Sequence, residues 1–403
     1  MLTLQPAPRP QQHRHPRLGL ALAGGGPLGA FYEIGALEAL AESVEGLDLT
    51  RLDTYVGVSS GAMIAAGLAN GISTADMGVV FIDNAAAEYP VSPGLFLQPA
   101  FHEFLARARA APGLVADIVR QYWLNAPSPG AWAAAAEPLG RLVPTGLFDN
   151  RPFERFIAHV FTTHGRSNDF RTLERKLYVI ATDLDGGTEA RFGAKGLEHV
   201  PISRAIQAST ALPGLYPSVE IDGHTYVDGA LLRTMHASLA LEDGASLVIC
   251  VNPLVAFDAY ASGRRSHDLR RGGLPLVMSQ TFRSLIQSRM QIGMAAYRGR
   301  YPTSDMLLFE PDRSDEEMFF VNVFKYAGRR GLAEHSFQRT RADLRRNARA
   351  LGPLLERHGL RLRVEALDDP ARSFRAAMAA RKDGFGPVGS RLGAALDRLE
   401  AEL

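Results

Sequence analysis

The chain has a single cysteine, Cys250, among its 403 residues. This excludes an intramolecular disulfide framework, a cysteine-rich zinc site and thioredoxin-type chemistry. The thiol falls in an apolar run and reads as a buried core group. Lysine is nearly as scarce, with four lysines against forty arginines. Net charge is missing as well: 44 basic and 43 acidic residues leave +1, so a nucleic-acid partner that depends on counterion release is excluded. No stretch offers the roughly 18 uninterrupted apolar residues of a membrane span, and MLTLQPAPRPQQHRHPR at the N-terminus lacks the apolar core of a signal peptide. The expectation is a cytoplasmic protein, with peripheral membrane contact or signal-peptide-independent export as the alternatives. Residues 1–17 read as a disordered tail, in which His13 and His15 have no acidic or thiol neighbours with which to hold a metal.

What is present suits a large folded core: 46% hydrophobic and 22% charged residues, with 39 glycines and 24 prolines for turns. At about 150 residues per domain the length admits two or three domains. Short apolar runs at 18–23, 54–58, 176–182, 246–251 and 305–309 alternate with helical patterns, as in a parallel sheet built from βαβ units. Between the first two, Phe31, Ile34, Leu37, Ala39 and Leu40 recur at helical spacing and predict a crossover helix.

Residues 72–150 interrupt this alternation with a helical insertion. Leu114, Val115, Ile118, Val119 and Tyr122, continuing into Trp123 and Leu124, form an apolar stripe. Packing against the sheet is the first reading of that stripe, and a cap or lipid-contacting surface is the second. The segment GLFLQPAF at 94–101 is a second candidate for lipid contact. Beyond residue 310 the chain is helical and arginine-rich, a pattern of solvated helix faces, with docking to an anionic surface or partner as the other reading. The predicted organisation is therefore a tail (1–17), a catalytic α/β unit (18–310, including the insertion) and a helical C-terminal extension (311–403).

Three motifs carry chemistry. Gly24-Gly25-Gly26-Pro27-Leu28-Gly29 lies between the first strand and its helix, where backbone N–H groups beside a helix N-terminus favour negative charge. Its letters also fit a dinucleotide loop, but that reading requires an acidic residue at the end of the next strand. That strand ends instead in Gly57-Val58-Ser59-Ser60-Gly61. An apolar strand before Ser59 and the helical run AMIAAGLAN after it are the context of a nucleophile elbow, whose flanking glycines permit the sharp turn. An ordinary helix cap at Ser59 is the bland reading. The third motif, Asp228-Gly229-Ala230, follows a short apolar strand and supplies a carboxylate; as an isolated pair it would read as a turn.

Taken in order, these three motifs, with LYVIATDLDGGTEARF (177–192) and ASTALPGLYPSVEIDGHTYVDGA (208–230) between them, resemble the bacterial patatin-like phospholipases. The resemblance runs from about Leu18 to Val251. It implies a three-layer α/β/α hydrolase with a mostly parallel central sheet and a Ser–Asp dyad, needing no cofactor and no metal. By it Ser59 is the nucleophile and Asp228 the base, while the N–H groups of Gly25, Gly26 and Ser60 form the oxyanion hole. Gly24, Gly29, Gly57, Gly61 and Gly229 shape the turns. The implied partner is a lipid or ester substrate, with a phospholipid or lysophospholipid first. The chain departs from the family at Leu28, where a cation is usual, and after Gly229, where the usual Asn-Pro is absent.

Other readings remain open at this stage. A general carboxylesterase or lipase, or an acyltransferase, could use the same dyad. A Ser-His-Asp triad would draw on His236, or on the more distant His267 or His335. His164 and Asp169 match the spacing of an acyltransferase motif. A non-catalytic lipid- or protein-binding module of the same fold is the reading from a different class.

Overall fold

The computed structural model describes residues 1–11, 15–86, 88–92, 94–125, 143–232, 235–261, 273–320 and 328–381, and His13 and His267 lie outside them. Nine strands form one sheet among these residues. They are β1 (Leu2–Gln5), β2 (Leu18–Leu22), β3 (Thr54–Val58), β4 (Lys176–Asp183), β5 (Thr188–Phe192), β6 (Val219–Ile221), β7 (His224–Asp228), β8 (Leu247–Val251) and β9 (Asp305–Phe309). The order is β1-β9-β8-β2-β3-β4-β7-β6, with β5 also on β4. The five central strands, β9 to β4, run parallel, and the strands at either edge are antiparallel. β3, β8 and β9 are buried along their whole length. Such near-continuous apolar runs are what a parallel sheet covered on both faces demands. The fold is thus a three-layer α/β/α arrangement.

The segment expected to be a disordered tail begins with a strand. Leu2 to Gln5 add to the free edge of β9, pairing antiparallel with residues 309 to 306. Four residues with unpaired backbone groups beside an open sheet edge gain ladder hydrogen bonds, and Leu2 gains burial.

The helix α1 (Gly26–Ser43) is buried on every side from Leu28 onward, glutamates included. A helix apolar all round must be covered all round. Its outer cover comes from the arginine-rich extension. Helix α7 (Arg329–Arg346) packs along it through Leu332, Ala333, Ser336, Phe337 and Leu344, and Gly35 is so close that a Cβ there would stand 2.3 Å from the Ala333 carbonyl oxygen. The arginines expected on solvated faces are spent partly inside. Arg341 donates to the carbonyls of Ala366, Asp369 and Arg372, and Arg372 and Arg381 pair with Glu42 and Glu38 of α1. Further along, Asp305 of β9 accepts from His358 at 2.7 Å and Arg357 at 2.8 Å, while His358 Nδ1 lies 3.2 Å from Ser246 Oγ. This Ser-His-Asp chain sits buried at the N-terminal ends of β8 and β9, the end opposite the elbow, where it ties the extension to the sheet.

Helices α3 (Phe101–Asn125) and α4 (Arg151–Phe161) bracket the undescribed part of the insertion. The stripe predicted to pack on the sheet does not do so where its side chains are described: Val115 is exposed and Leu114 half-buried. Ile118, Val119, Tyr122, Trp123 and Leu124 lie outside the described side chains. Between α2 (Ser60–Ala69) and α3 the chain makes a short turn of helix, Thr74–Met77, opened by a Ser73–Asp76 capping box, and then a π-helical turn, Gly78–Asp83. Helix α5 (Ile202–Ser209) packs against α4 and β4.

Candidate active site

The register of three strands brings the candidate dyad together. β3 runs parallel to β4 and ends with Val58 opposite Ile180. β7 runs antiparallel to β4 and ends with Asp228 opposite Ala181, the next residue. β5 occupies the other edge of β4 over residues 179–183, so β7 takes the same edge as β3. The two strands meet end to end, which sets Ser59, the residue after Val58, beside Asp228. The Ser59 hydroxyl acts on the Asp228 carboxyl, favouring its charged form.

Ser59 is held at φ 52° and ψ −123°. A non-glycine residue there is strained by about 1–3 kcal/mol, a cost that persists only where surrounding structure over-determines it. Its N–H donates to Ser209 Oγ at 2.8 Å, at the end of α5. Two residues on, the Ala211 carbonyl accepts the Asp228 N–H at 3.0 Å. The stretch 208–211 therefore holds both members of the pair from behind. Nothing in the sequence of this stretch marks Ser209 or Ala211 for that task. On the other side Thr182, in the TDLDGG segment, donates its hydroxyl to the Asp228 carbonyl at 3.0 Å.

Asp228 is only 3% exposed. Burial pushes its carboxyl up to about 6, against the opposing pull of the Ala230 N–H and the Ser59 hydroxyl. Among the described residues, no cation is among the groups acting on it. Desolvation penalises the charged form, which makes this carboxylate a stronger base than a solvated aspartate. The following residue must be glycine, since a Cβ on Gly229 would stand 2.3 Å from the Ile180 carbonyl oxygen.

The glycine loop is shorter than its letters suggest. Helix α1 already begins at Gly26, with Gly25 at the cap and Pro27 in the first turn, and the Gly29 N–H closes back on the Gly25 carbonyl at 3.0 Å. First-turn N–H groups lack intrahelical partners, and Pro27 has none to give. Donors facing the serine thus come from its neighbours. The loop lies against the elbow: a Cβ on Gly24 would stand 2.8 Å from Ser59 Cβ and 3.5 Å from its Oγ, and one on Gly29 3.2 Å from Ser60 Oγ. Pro253, just after β8, closes the other side at 2.7 Å from a Cβ on Gly25. Leu28 is buried in the main core, so its apolar side chain packs inward where the family's usual cation would stand.

The other candidates are engaged elsewhere. His236 Nδ1 lies 3.1 Å from Glu189 Oε2, and this contact, followed by Arg191, holds the glutamate down at about 2. His335 pairs with Asp315 at 2.7 Å and Glu317 at 2.9 Å. His164 pairs with Glu88 at 3.1 Å and Asp169 with Arg171 at 2.7 Å, so the two do not form a site.

A small apolar cavity of about 30 Å³ lies beside α2. Met63 and Gly67 of α2, Val80 and Phe81 of the π-helical turn, and Ile157 and Phe161 of α4 line it. Its one hydroxyl, on Tyr89, is satisfied by Thr163 at 2.7 Å.

The family model for patatin-like phospholipases matches residues 20–241, more than half of the chain. The chain belongs to the patatin-like phospholipase family. Its similarity to curated proteins includes uncharacterized NTE family proteins of Mycobacterium bovis and Mycobacterium tuberculosis, each 26% identical over 237 residues. The match covers 58% of this chain and 30% of theirs, so this patatin-like chain spans about a third of the length of the relatives it matches. Among solved structures it is similar to VipD from Legionella pneumophila, at 16% identity and TM-score 0.33 over 62% of this chain and 53% of that one. It is also similar to ExoU of Pseudomonas aeruginosa in complex with SpcU, at 16% identity and TM-score 0.25 over 94% and 73%.

Proposed function

We propose that this patatin-like chain is a serine lipid acyl hydrolase, cleaving carboxylic esters of phospholipids or lysophospholipids, with Ser59 as nucleophile and Asp228 as general base. The observation that carries this reading is the Asp228 carboxyl, buried, raised to about 6 and set beside a serine on a strained elbow. Asp228 takes the Ser59 proton as Oγ attacks the ester carbonyl. The oxyanion that forms is held by the N–H groups of Gly25, Gly26 and Ser60, each donor worth about 10²- to 10³-fold in rate. The intermediate collapses to an acyl-enzyme, and protonated Asp228 returns its proton to the departing alcohol. Water then gives a proton to Asp228 and attacks the acyl carbon, and the fatty acid leaves with Ser59 regenerated.

The test is covalent labelling with a fluorophosphonate, followed by hydrolysis rates on phospholipids, lysophospholipids, triglycerides and short esters. Wild type should label once and Ser59→Ala not at all, with activity lost in parallel. Equal labelling of both proteins would remove Ser59 from the mechanism.

The apolar lining of the small cavity beside α2 supports an acyl-chain site that widens as a chain enters. Met63 stands four residues after Ser59, and helical side chains lean toward the N-terminus of their helix, here toward the elbow. Val160, which also lines the cavity, is the position to fill. Val160→Phe should shift preference toward shorter acyl chains, raising KM for long-chain esters about tenfold while leaving kcat on a short ester near wild type. An unchanged chain-length profile in a folded variant would exclude this cavity from substrate binding.

A further inference from the structure

Helix α6 (Gly273–Arg300) carries two apolar stripes, one turned inward and one outward. Its inner side, Ile286, Met290 and Met294, packs into the core cluster that contains Ala23, Val58 and Ala230, the residues that flank Gly24, Ser59 and Gly229. Its outer side carries Met278, Phe282, Leu285 and Ile292 at 41%, 37%, 55% and 69% exposure. These fall at i, i+4, i+7 and i+14, one stripe along the helix. A globular surface helix has one apolar face, so a second, exposed one marks a contact surface.

Charge indicates what that contact is. α6 contains four arginines and no acidic residue. The whole chain is nearly neutral, so α6 sets positive charge beside its apolar stripe: Arg289, Arg298 and Arg300 are exposed, while Arg283 turns inward to the Val255 carbonyl. That pairing fits the headgroup and acyl boundary of an anionic bilayer. The helix is also tied to the site, since Arg289 donates to the Leu231 carbonyl at 2.8 Å, three residues beyond Asp228.

We infer that α6 docks the protein on anionic phospholipid bilayers through Met278, Phe282, Leu285 and Ile292, setting the mouth of the dyad at the lipid surface. This docking rests on reading the chain as a lipid hydrolase, but it is measured without catalysis. The experiment uses the full chain carrying Ser59→Ala and sedimentation with vesicles of phosphatidylcholine alone or with added phosphatidylglycerol. The expected result is binding at least about tenfold tighter to the anionic vesicles, weakening with salt. The variant Phe282→Gln/Leu285→Gln/Ile292→Gln should bind them about ten- to a hundredfold more weakly. With Ser59 intact, that variant should hydrolyse a soluble short ester within about twofold of wild type. A matching variant on the exposed apolar side chains of α3, Phe101→Gln/Phe104→Gln/Leu105→Gln, should leave vesicle binding unchanged. Equal binding to both vesicles would overturn the inference, as would unaltered binding of the α6 variant, loss of binding only in the α3 variant, or an α6-dependent dimer that does not bind vesicles. Vesicle binding without any ester hydrolysis would leave the docking standing and refute the enzyme reading alone.

Discussion

Asp228→Asn is expected to lower ester hydrolysis by about 10³-fold or more while the protein stays folded. Asparagine keeps the shape and can still accept the Ala230 N–H, now 2.9 Å from Asp228 Oδ1, but it cannot take the Ser59 proton. The pH profile carries the sharper signature. Burial raises the carboxyl to about 6, so below that value the base is protonated and the rate should rise tenfold per pH unit, levelling above it. A profile for wild type that is flat from pH 4 to 8 would remove Asp228 as base.

Stability should move the other way. The folded chain keeps this proton to a higher pH than the unfolded chain, whose carboxyl titrates near 3.8. The site's contribution to stability is therefore largest below about pH 4 and is lost as pH rises through about 6. At pH 8 the ionised, buried carboxylate costs up to about 3 kcal/mol, from two pKa units at about 1.4 kcal/mol each. Asp228→Asn should accordingly unfold at a higher temperature than wild type at pH 8, with the gain shrinking toward pH 4. His236→Ala is the contrasting variant. Its imidazole is paired with Glu189, so activity should stay within about tenfold of wild type, and a loss matching Ser59→Ala in a folded protein would restore a triad.

The second large effect is structural. A methyl group on Gly57 would stand 2.4 Å from Ala62 Cα and 2.6 Å from the Gly61 carbonyl oxygen; one on Gly61 would stand 2.6 Å from the Ala23 carbonyl oxygen. All three neighbours are backbone atoms, so no side-chain rotation relieves the clash and the start of α2 must move off β2 and β3. Gly61→Ala should cost about 3 kcal/mol or more, at the upper end of overpacking effects, read as a drop in the urea midpoint with unchanged slope. Gly352→Ala is the control. It sits in helix α8 (Ala348–Glu356) with nothing within 4 Å of a new Cβ, and helix propensity alone should stabilise it by about 0.5–1 kcal/mol. Near-equal stability of Gly61→Ala and wild type would mean that the elbow is not packed as tightly as these distances require.

Much of this was readable in the chain beforehand, because local chemistry leaves local marks. The strand runs at 18–23, 54–58, 176–182, 246–251 and 305–309 correspond to β2, β3, β4, β8 and β9, since a strand buried on both faces has no polar alternation to blur it. The elbow announced itself through Gly57 and Gly61, which backbone crowding makes obligatory. β1 did not, because LTLQ gains its order from the edge of β9, some 300 residues away in sequence. Nor did the outer stripe of α6, which stands apart only once Ile286, Met290 and Met294 are seen to occupy the core. The arginines of α7 and of the segment after it had the same ambiguity: an arginine pattern reads as solvated unless one knows that Glu38 and Glu42 wait on a buried helix.

Sequence alone determined the parallel α/β architecture and the identities of Ser59 and Asp228 as candidates, because turn chemistry and apolar runs are properties of adjacent residues. Only the tertiary structure decided that these two meet, for their adjacency arises from β3 and β7 ending at successive residues of β4. It also decided the basicity of Asp228, since desolvation belongs to the surroundings and not to the residue. His236 could be set apart only in three dimensions, where its neighbour is Glu189. The charge balance of the whole chain said nothing of α6, because a sum over 403 residues hides where the arginines gather.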